Sequence, residues 1–202
     1  MLLAIDTSAG TSVAVVDRDA GVLASRDSAD TRGHAEVIGT FIAECLADAA
    51  VSAAQLSAVV AGVGPGPFTG LRVGIAAARV FAFGAGKPAL SVPSHDALAF
   101  GRAEPTLVVT DARRREVYWS LYGPPDEDGL PVRLEGPALS KPAELPTPPG
   151  FARFEPATVS AASLGLLAEA MFVHGRAFAR PEALYLRSPD VTLSAGPKRV
   201  SS

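Results

Sequence analysis

Glycine and proline dominate one short stretch, GVGPGPFTGLRVG, which runs from Gly62 to Gly74. Four glycines and two prolines fall between Gly62 and Gly70, after an apolar run and before a helical pattern. A glycine-rich turn that enters a helix often holds a phosphate group on its backbone amides. The alternative is a rigid connection from strand to helix that binds no ligand.

The stretch departs from both common glycine-rich nucleotide fingerprints. A Walker-type loop carries Lys and then Ser or Thr directly after its glycines, whereas Arg72 is the only basic residue here. In a dinucleotide fingerprint the third glycine comes one residue earlier than Gly70 does. Pro65 and Pro67 remove two backbone donors from the loop. These departures favour the rigid connection.

Small residues recur every four positions in the helix that follows, at Gly70, Gly74, Ala78 and Ala82. This stripe carries almost no side chain, so a neighbouring element can approach it closely. A glycine inside a helix costs about 1 kcal/mol relative to alanine, and close packing has to offset that cost. We expect Gly74 and Ala78 to face outward and to contact a partner.

The first half of the chain alternates buried strands with amphipathic helices. Charged and apolar residues separate onto opposite faces over residues 34–50, which predicts a helix. The predicted elements are a strand ending at Asp6, a hairpin around residues 19–21, a helix over 34–50, a buried strand before Gly62, a helix over 70–84 with Thr69 as its N-cap, and a helix over 94–100 capped by Ser94.

The second half has a different composition. Nine of the 17 prolines lie between Pro124 and Pro156, which favours loops and edge strands. Two strands are predicted around a turn at 111–115, a helix from about 160, and an extended segment over 181–193. We therefore predict a first domain over 1–104 and a smaller second domain over 105–202.

Bulk properties restrict the class of protein. The net charge is −3, so any contact with RNA would be local and not the result of a general attraction. A single cysteine excludes an intramolecular disulfide. The N-terminus lacks a signal-peptide pattern and no apolar run approaches 18 residues, so we expect a cytoplasmic protein with no membrane span.

Candidate ligands for a metal ion are few. Asp6 ends the first strand and could hold a metal or water near a phosphate, or it could cap the turn that follows. His34 begins a helix, but the position one turn later is Ile38, which cannot bind a metal. His95 and His174 have no ligand spacing, so zinc is not expected.

Three successive arginines, Arg113 to Arg115, form a basic cluster at the predicted turn of the second half. A solvated turn is one interpretation. A local contact with RNA or with a partner protein is the other.

Five stretches together resemble the TsaB (YeaZ) family, in family order: AIDTS, RGHAEVIG, GVGPGPFTGLRVG, DARRREVYWSLY and PEALYLR. GPGPFTGLRVG is the most specific of them. The resemblance covers residues 1–121 densely and 181–187 at the end, and it is weak over 123–160. It implies an actin-like α/β fold of the ASKHA superfamily, with two lobes built on mixed sheets.

The resemblance also implies a function. Members support the formation of N6-threonylcarbamoyladenosine at position 37 of tRNAs that read codons starting with A. In that pathway the paralogue TsaD transfers the group, and TsaB is its catalytically inactive partner, with the ATPase TsaE joining. Isolated TsaB pairs with itself, and tRNA is reached through the complex. No catalytic residue, metal or cofactor is expected, because the second histidine of the TsaD metal motif is replaced by Ile38.

The predicted partner interface lies on the helices over 34–50 and 69–84. Its residues are His34, Val37, Ile38, Phe41, Cys45, Gly70, Val73, Gly74, Ala77, Ala78 and Phe81. A remnant of a nucleotide site is predicted at Asp6, Thr7, Gly64 and Gly66.

Two other functions compete with the scaffold role. An actin-like small-molecule kinase or ATPase would need an acidic residue in a second phosphate-binding hairpin, and Asp111 is the only candidate. A metallopeptidase would need metal ligands that the chain lacks.

Overall fold

Two β-sheets organise the chain in the computed structural model, which describes residues 1–187. The first sheet holds five strands in the order β3-β2-β1-β4-β5. β1 pairs antiparallel with β2 and parallel with β4, so an antiparallel hairpin is continued by a parallel half. The strands are β1 (Leu2–Asp6), β2 (Thr11–Asp17), β3 (Gly21–Ser28), β4 (Ala58–Gly62) and β5 (Ala89–Val92).

The second sheet holds four strands in the order β8-β7-β6-β9. β6 and β7 form an antiparallel hairpin, and β9 adds a parallel edge to β6. The strands are β6 (Thr106–Arg113), β7 (Glu116–Tyr122), β8 (Arg133–Ser140) and β9 (Ala152–Phe154).

Four α-helices cover the sheets: α1 (His34–Asp48), α2 (Phe68–Ala85), α3 (Ser94–Ala99) and α4 (Ala161–Val173). Short 3-10 turns occur at Ala53–Gln55 and Pro142–Glu144. α1 and α2 pack on one face of the first sheet and enclose one apolar core. α4 packs on its other face, and α3 packs between α4 and the β6–β7 hairpin, in a core that reaches Val108 and Tyr122 of the second sheet.

The outer face of the second sheet has a smaller core of its own. Val109, Val117 and Leu121 are buried there, beneath the proline-rich segment that supplies Leu145 and Phe151. This segment forms one strand pairing on each edge of the β6–β7 hairpin and otherwise runs as loop, as the proline content predicts.

The predicted α/β class with two mixed sheets and flanking helices is confirmed. The boundary predicted near residues 104–105 falls in the loop before β6, and α4, which follows it in the chain, packs on β1 and β2. The division into two domains stays a prediction. The predicted extended segment over 181–193 is described as far as Arg187, and its remainder lies outside the described residues.

Two predicted helix caps are wrong. α2 begins at Phe68 with Pro67 as its N-cap, so Thr69 lies inside the first turn. Pro67 fits this position because its φ of −61° and ψ of 144° give the extended backbone of an N-cap residue. α3 begins at Ser94 itself, and the Ser94 hydroxyl donates to Asp6 instead of capping the helix.

α2 is long and apolar enough to qualify as a membrane span by length and composition, with 18 residues and a mean hydropathy of 1.3. Of that window, 33% is buried inside the fold, where the helix packs against β1 and β4. Arg72 and Arg79 interrupt its exposed side. The helix thus packs one face on the first sheet and leaves the other face exposed.

Candidate functional site

The glycine-rich stretch packs directly on the turn that follows β1. A Cβ atom on Gly62 would lie 1.8 Å from an oxygen of the Asp6 carboxylate. A Cβ on Gly66 would lie 2.8 Å from the Cα of Ser8. Contacts under about 3 Å leave no space for a side chain, and they leave none for a phosphate group between the two segments. The first glycines of the motif therefore allow two backbone segments to approach each other closely.

Thr7 inserts its hydroxyl into the second turn of α2. The Thr7 Oγ1 donates to the carbonyl of Gly70 at 2.7 Å and accepts from the amide of Gly74 at 3.0 Å. These are the two backbone groups that would pair with each other in a regular α-helix. A Cβ on Gly74 would lie 2.2 Å from that hydroxyl oxygen, and one on Gly70 would lie 2.4 Å from the Thr7 carbonyl.

The small-residue stripe of α2 consequently faces the protein's own first sheet. Gly70, Gly74, Ala78 and Ala82 are all buried. The prediction that Gly74 and Ala78 face outward is wrong, because the stripe is the surface on which β1 and its turn pack. The free-energy cost of placing glycine in a helix is therefore offset by close packing within the protein's own fold.

Asp6 is enclosed by hydrogen bonds of its own loop. Its Oδ1 accepts from the amide and the hydroxyl of Ser8, at 2.7 and 2.6 Å, and its Oδ2 accepts from the Ser94 hydroxyl at 2.6 Å. The residue is 1% exposed. Burial raises the pKa of this carboxyl above its ordinary value, against the opposing effect of the serine hydrogen bonds. Of the two interpretations of Asp6, the structure fits the turn-capping one.

The four residues predicted as a nucleotide-site remnant do come together. Thr7, Gly64 and Gly66 are buried beside Asp6, and Gly64 exchanges hydrogen bonds with Ser94 through both its amide and its carbonyl. The polar side chains of Asp6 and Thr7 and the backbone groups of Gly64 are engaged by neighbouring parts of the fold: Asp6 by Ser8 and Ser94, Thr7 by α2, and Gly64 by Ser94. A ligand would have to break these hydrogen bonds before it could bind the same groups.

A cavity of about 400 Å³ lies between the two sheets, next to this network. Ser8 and Pro67 line one side, and Asp111 and Arg113 of the β6–β7 hairpin line the other. Asp6 does not line it. The cavity thus lies between the two sheets without access to the buried carboxylate.

Besides Gly70, Gly74 and Ala78 of the stripe, three further residues predicted for the partner interface lie inside the monomer. His34 is 5% exposed, its Nδ1 pairs with the Thr11 hydroxyl at 2.8 Å, and burial lowers the pKa of its imidazole. Ile38 belongs to the core beneath α1. Cys45 is fully buried, and burial raises the pKa of its thiol to about 11. None of the three presents a side chain to a partner.

No group of three or more His, Cys, Asp or Glu side chains that could hold a metal ion occurs within residues 1–187.

Part of the outer surface of α1 and α2 is apolar. Five residues of the predicted interface are half-buried there, and their contact with a partner stays a prediction: Val37, Phe41, Val73, Ala77 and Phe81. Two residues that were not predicted for the interface, Val80 and Phe83, are far more exposed. We call the following set the α1/α2 surface: Val37, Phe41, Val73, Ala76, Ala77, Val80, Phe81 and Phe83.

Val80 and Phe83 are the most exposed members of this surface, at 71% and 89%. Both lie on the face of α2 opposite the small-residue stripe, at helical spacing from Ala76. This helical spacing could have identified the exposed face of α2 from the sequence. A helix that buries its glycine stripe against a sheet must present the opposite face outward.

Comparisons with known proteins agree with the resemblance. The family model of the tRNA N6-adenosine threonylcarbamoyltransferase TsaD matches residues 21–172. An uncharacterised protein of Mycobacterium tuberculosis H37Rv is 45% identical over 153 residues, which are 75% of this chain and 70% of that protein. The tRNA threonylcarbamoyladenosine biosynthesis protein TsaB of Escherichia coli K12 is 34% identical over 146 residues, 70% of this chain and 62% of that protein.

A solved structure extends the likeness to three dimensions. YeaZ from Pseudomonas aeruginosa superposes with a TM-score of 0.76 at 25% identity, covering 92% of this chain and 99% of its own. The two sheets and their helices therefore form the actin-like ASKHA fold expected from the resemblance. On this shared sequence and fold, the chain belongs to the TsaB (YeaZ) family.

Proposed function

We propose that the chain is a non-catalytic subunit needed for N6-threonylcarbamoyladenosine formation on tRNA in the cytoplasm. It acts by binding a TsaD-type transferase through the α1/α2 surface, and a TsaE-type ATPase joins this pair. The E. coli relative is a tRNA threonylcarbamoyladenosine biosynthesis protein, which supports the pathway. The observation that carries the binding role is the exposed apolar face of α2 around Val80 and Phe83.

The enclosed turn supports the non-catalytic part of this proposal. A phosphate-transferring enzyme needs a carboxylate that reaches a metal ion or the attacking water. Asp6 has both oxygens engaged and is 1% exposed. Asp111, the acidic candidate of the second lobe, accepts a hydrogen bond from the Arg113 amide of its own hairpin. A kinase or ATPase would therefore find the Asp6 carboxylate enclosed, with only the exposed Asp111 left at the cavity between the sheets.

The α1/α2 surface has the character of a docking face. Apolar side chains that are exposed together on neighbouring helices are typical of interfaces. Burying a phenylalanine side chain contributes about 1.5–3 kcal/mol. Phe83 is 89% exposed, so nearly all of that contribution is still available for a partner. A second copy of the chain can use the same surface when the transferase is absent.

Phe83→Glu is expected to weaken binding to the TsaD-type transferase about a hundredfold. Truncating an interface anchor costs on the order of 2–4 kcal/mol, and a buried carboxylate adds to that cost. The fold should be unaffected, because Phe83 contacts solvent. Titration calorimetry with the purified transferase gives the affinity, and thermal melting checks the fold.

Phe172→Glu is the matched control for this substitution. Phe172 is also an exposed phenylalanine near a helix C-terminus, at 74%, but it lies on α4 and on the other side of the first sheet. We expect it to bind the transferase as the wild type does. Equal affinities for wild type and Phe83→Glu, or an equal loss in both variants, would remove the α1/α2 surface from the interface.

We expect two copies of the chain to associate through the same α1/α2 surface. In sedimentation experiments the isolated chain is expected to form dimers, and Phe83→Glu is expected to leave monomers. A shared surface also means that the transferase and a second copy compete for it.

A further inference from the structure

A groove of about 650 Å³ lies between α2 and residues 181–185, close to the end of the described chain. Arg72, Ile75, Ala76 and Arg79 of α2 form one wall, and residues 181–185 form the other. We call this site the α2 groove. Its volume lies within the range that is typical of binding sites in proteins.

Tyr185 attaches the second wall of the groove to α2. Its ring stacks on Phe68, with the two ring centroids 4.3 Å apart. The Arg72 Nε donates to the Tyr185 hydroxyl at 3.1 Å, and the guanidinium carbon lies 5.7 and 5.8 Å from the Phe68 and Tyr185 ring centroids. The Arg72 guanidinium is therefore held at the groove by neutral groups, and its Nη donors bind no partner within residues 1–187.

Arg79 follows Arg72 by seven positions, which places it two turns later on the same side of α2. Its Nη2 donates to the Pro181 carbonyl, again a neutral group. Neither arginine forms an ion pair with a carboxylate of residues 1–187. Glu182 is the one acidic residue among those that line the groove, so its walls carry two positive charges and one negative charge. This charge favours an anionic ligand.

Apolar side chains lie between the two arginines. Ile75 is buried at the base of the groove, Ala76 is exposed beside it, and Ala183 is half-buried on the opposite wall. An RNA backbone presents a regular series of phosphates, which Glu182 would repel and which gain nothing from an apolar base. A protein segment that carries both carboxylates and apolar side chains fits the charges and the base of the groove together.

The groove is continuous with the α1/α2 surface. Ala76 belongs to both, and Phe83 follows Arg79 by about one helical turn. Protein interfaces commonly have an apolar centre and a charged rim. A partner that covers Phe83 would therefore bring its own side chains over the two arginines.

We propose that the α2 groove binds an acidic amphipathic helix of a partner protein, with one carboxylate at Arg72 and a second at Arg79. Two carboxylates seven residues apart on a helix that lies along α2 match the two-turn spacing of the arginines. A guanidinium presents paired donors to the two oxygens of a carboxylate. The assignment rests on the proposed function, in which the partner is the TsaD-type transferase.

The first test is the double variant Arg72→Gln/Arg79→Gln in the full-length chain. Its affinity for the purified transferase is measured by titration calorimetry at about 0.05 M and about 0.5 M salt. We expect binding to be about tenfold weaker than for the wild type at the lower salt concentration. The difference should shrink to less than about threefold at the higher concentration, because salt screens exposed charge pairs.

Two further variants separate the lost charge from other effects. Arg18→Gln/Arg153→Gln removes the same charge from exposed positions in the β2–β3 turn and on β9, and its affinity should change less than about twofold. Arg72→Lys/Arg79→Lys keeps the charge but alters the contacts with Tyr185 and Pro181. We expect the lysine variant to bind within about threefold of the wild type. An equal loss in the lysine and glutamine variants would attribute the effect to a loosened wall and overturn the proposal.

The second test examines the groove without the transferase. The probe is a synthetic helical peptide with two glutamates seven residues apart and leucines between them, compared by fluorescence anisotropy with its glutamine counterpart. The glutamate peptide should bind the wild type about tenfold more tightly, and Arg72→Gln/Arg79→Gln should abolish this difference. Equal binding of the two peptides to the wild type would overturn the proposal. Displacement of the peptide by an unmodified tRNA transcript at lower concentration than by unlabelled peptide would also overturn it, because RNA would then be the ligand.

The two tests together distinguish failure of the groove from failure of the proposed function. Transferase binding that depends on Phe83 but is unchanged in Arg72→Gln/Arg79→Gln at both salt concentrations would remove the groove and leave the proposed function. A wild-type chain that does not bind the transferase, but still binds the glutamate peptide through the two arginines, would remove the proposed function alone.

Discussion

Gly74→Leu is expected to lower the free energy of unfolding by about 3 kcal/mol or more. Even a Cβ atom at this position would lie 2.2 Å from the Thr7 hydroxyl oxygen, which cannot move without breaking its hydrogen bonds to α2. Overpacking a core costs about 1–3 kcal/mol, and each of the two lost hydrogen bonds adds roughly 1 kcal/mol. For a chain of this size we expect the melting temperature to fall by roughly 10 °C.

Gly84→Ala is the control within the same helix. No atom lies within 4 Å of a Cβ built on Gly84, so this substitution should stabilise α2 by up to about 1 kcal/mol through helix propensity alone. Thermal melting of both variants measures the contrast. A Gly74→Leu variant that melts like the wild type but no longer binds the transferase would place the stripe at the partner surface after all.

The second large effect is a loss of stability in mild acid that depends on His95. This side chain is fully buried in α3, and its two ring nitrogens pair with the hydroxyls of Ser120 at 2.8 Å and Thr110 at 2.9 Å. It thereby joins the first lobe to both strands of the β6–β7 hairpin. Burial lowers the pKa of His95 from 6.5 to about 3.

The sign of the effect follows from the lowered pKa. Below pH 6.5 the unfolded chain takes up a proton at His95 that the folded protein cannot accept until about pH 3. The stabilisation is therefore complete above pH 6.5 and is lost as the pH falls, by about 1.4 kcal/mol per pH unit. Between pH 6.5 and 4.5 the loss amounts to roughly 2–3 kcal/mol.

Other groups also titrate in this range, so the measurement is a difference between two proteins. Denaturant unfolding of wild type and His95→Gln at several pH values gives the free-energy gap between them. Glutamine does not ionise, so the gap should narrow by roughly 2–3 kcal/mol from pH 6.5 to 4.5. Parallel pH curves for the two proteins would show that His95 does not carry this dependence.

The hydrophobic pattern and the turn residues were sufficient to predict the order of the strands and helices. β1 to β3, both large helices and the β6–β7 hairpin lie where the pattern predicts them, because burial of apolar runs decides them locally. The helix caps were less predictable. Pro67 and Thr69 are both plausible helix starts, and only the approach of the β1 turn decides between them.

The roles of the glycines could not be predicted from spacing alone. Sequence spacing shows that Gly74 lies on a side-chain-poor stripe, but it does not show which neighbour uses that stripe. The neighbour is Thr7, 67 residues away in the chain, whose hydroxyl enters the helix. Contacts between such distant segments depend on how β1 and α2 are placed by the whole sheet.

The turn at Arg113 to Arg115 was predicted from the sequence, but its backbone conformation was not. A two-residue turn with positive φ ordinarily calls for Asn-Gly, whereas Arg114 and Arg115 occupy it here. The exposure of Phe83 could be read from its helical spacing only once the burial of the glycine stripe was known, since an apolar residue in a helix is expected to be buried.

The central claim, a subunit that works by binding and not by catalysis, is tested most directly by a reconstituted modification assay. Purified transferase, threonylcarbamoyl-adenylate and tRNA are combined with wild-type chain, Phe83→Glu or Asp6→Asn, each checked for folding by its melting curve. We predict that Asp6→Asn stimulates modification as the wild type does and that Phe83→Glu does not. A folded Asp6→Asn chain that fails to stimulate, together with ATP hydrolysis by the isolated wild type that this substitution abolishes, would contradict the claim.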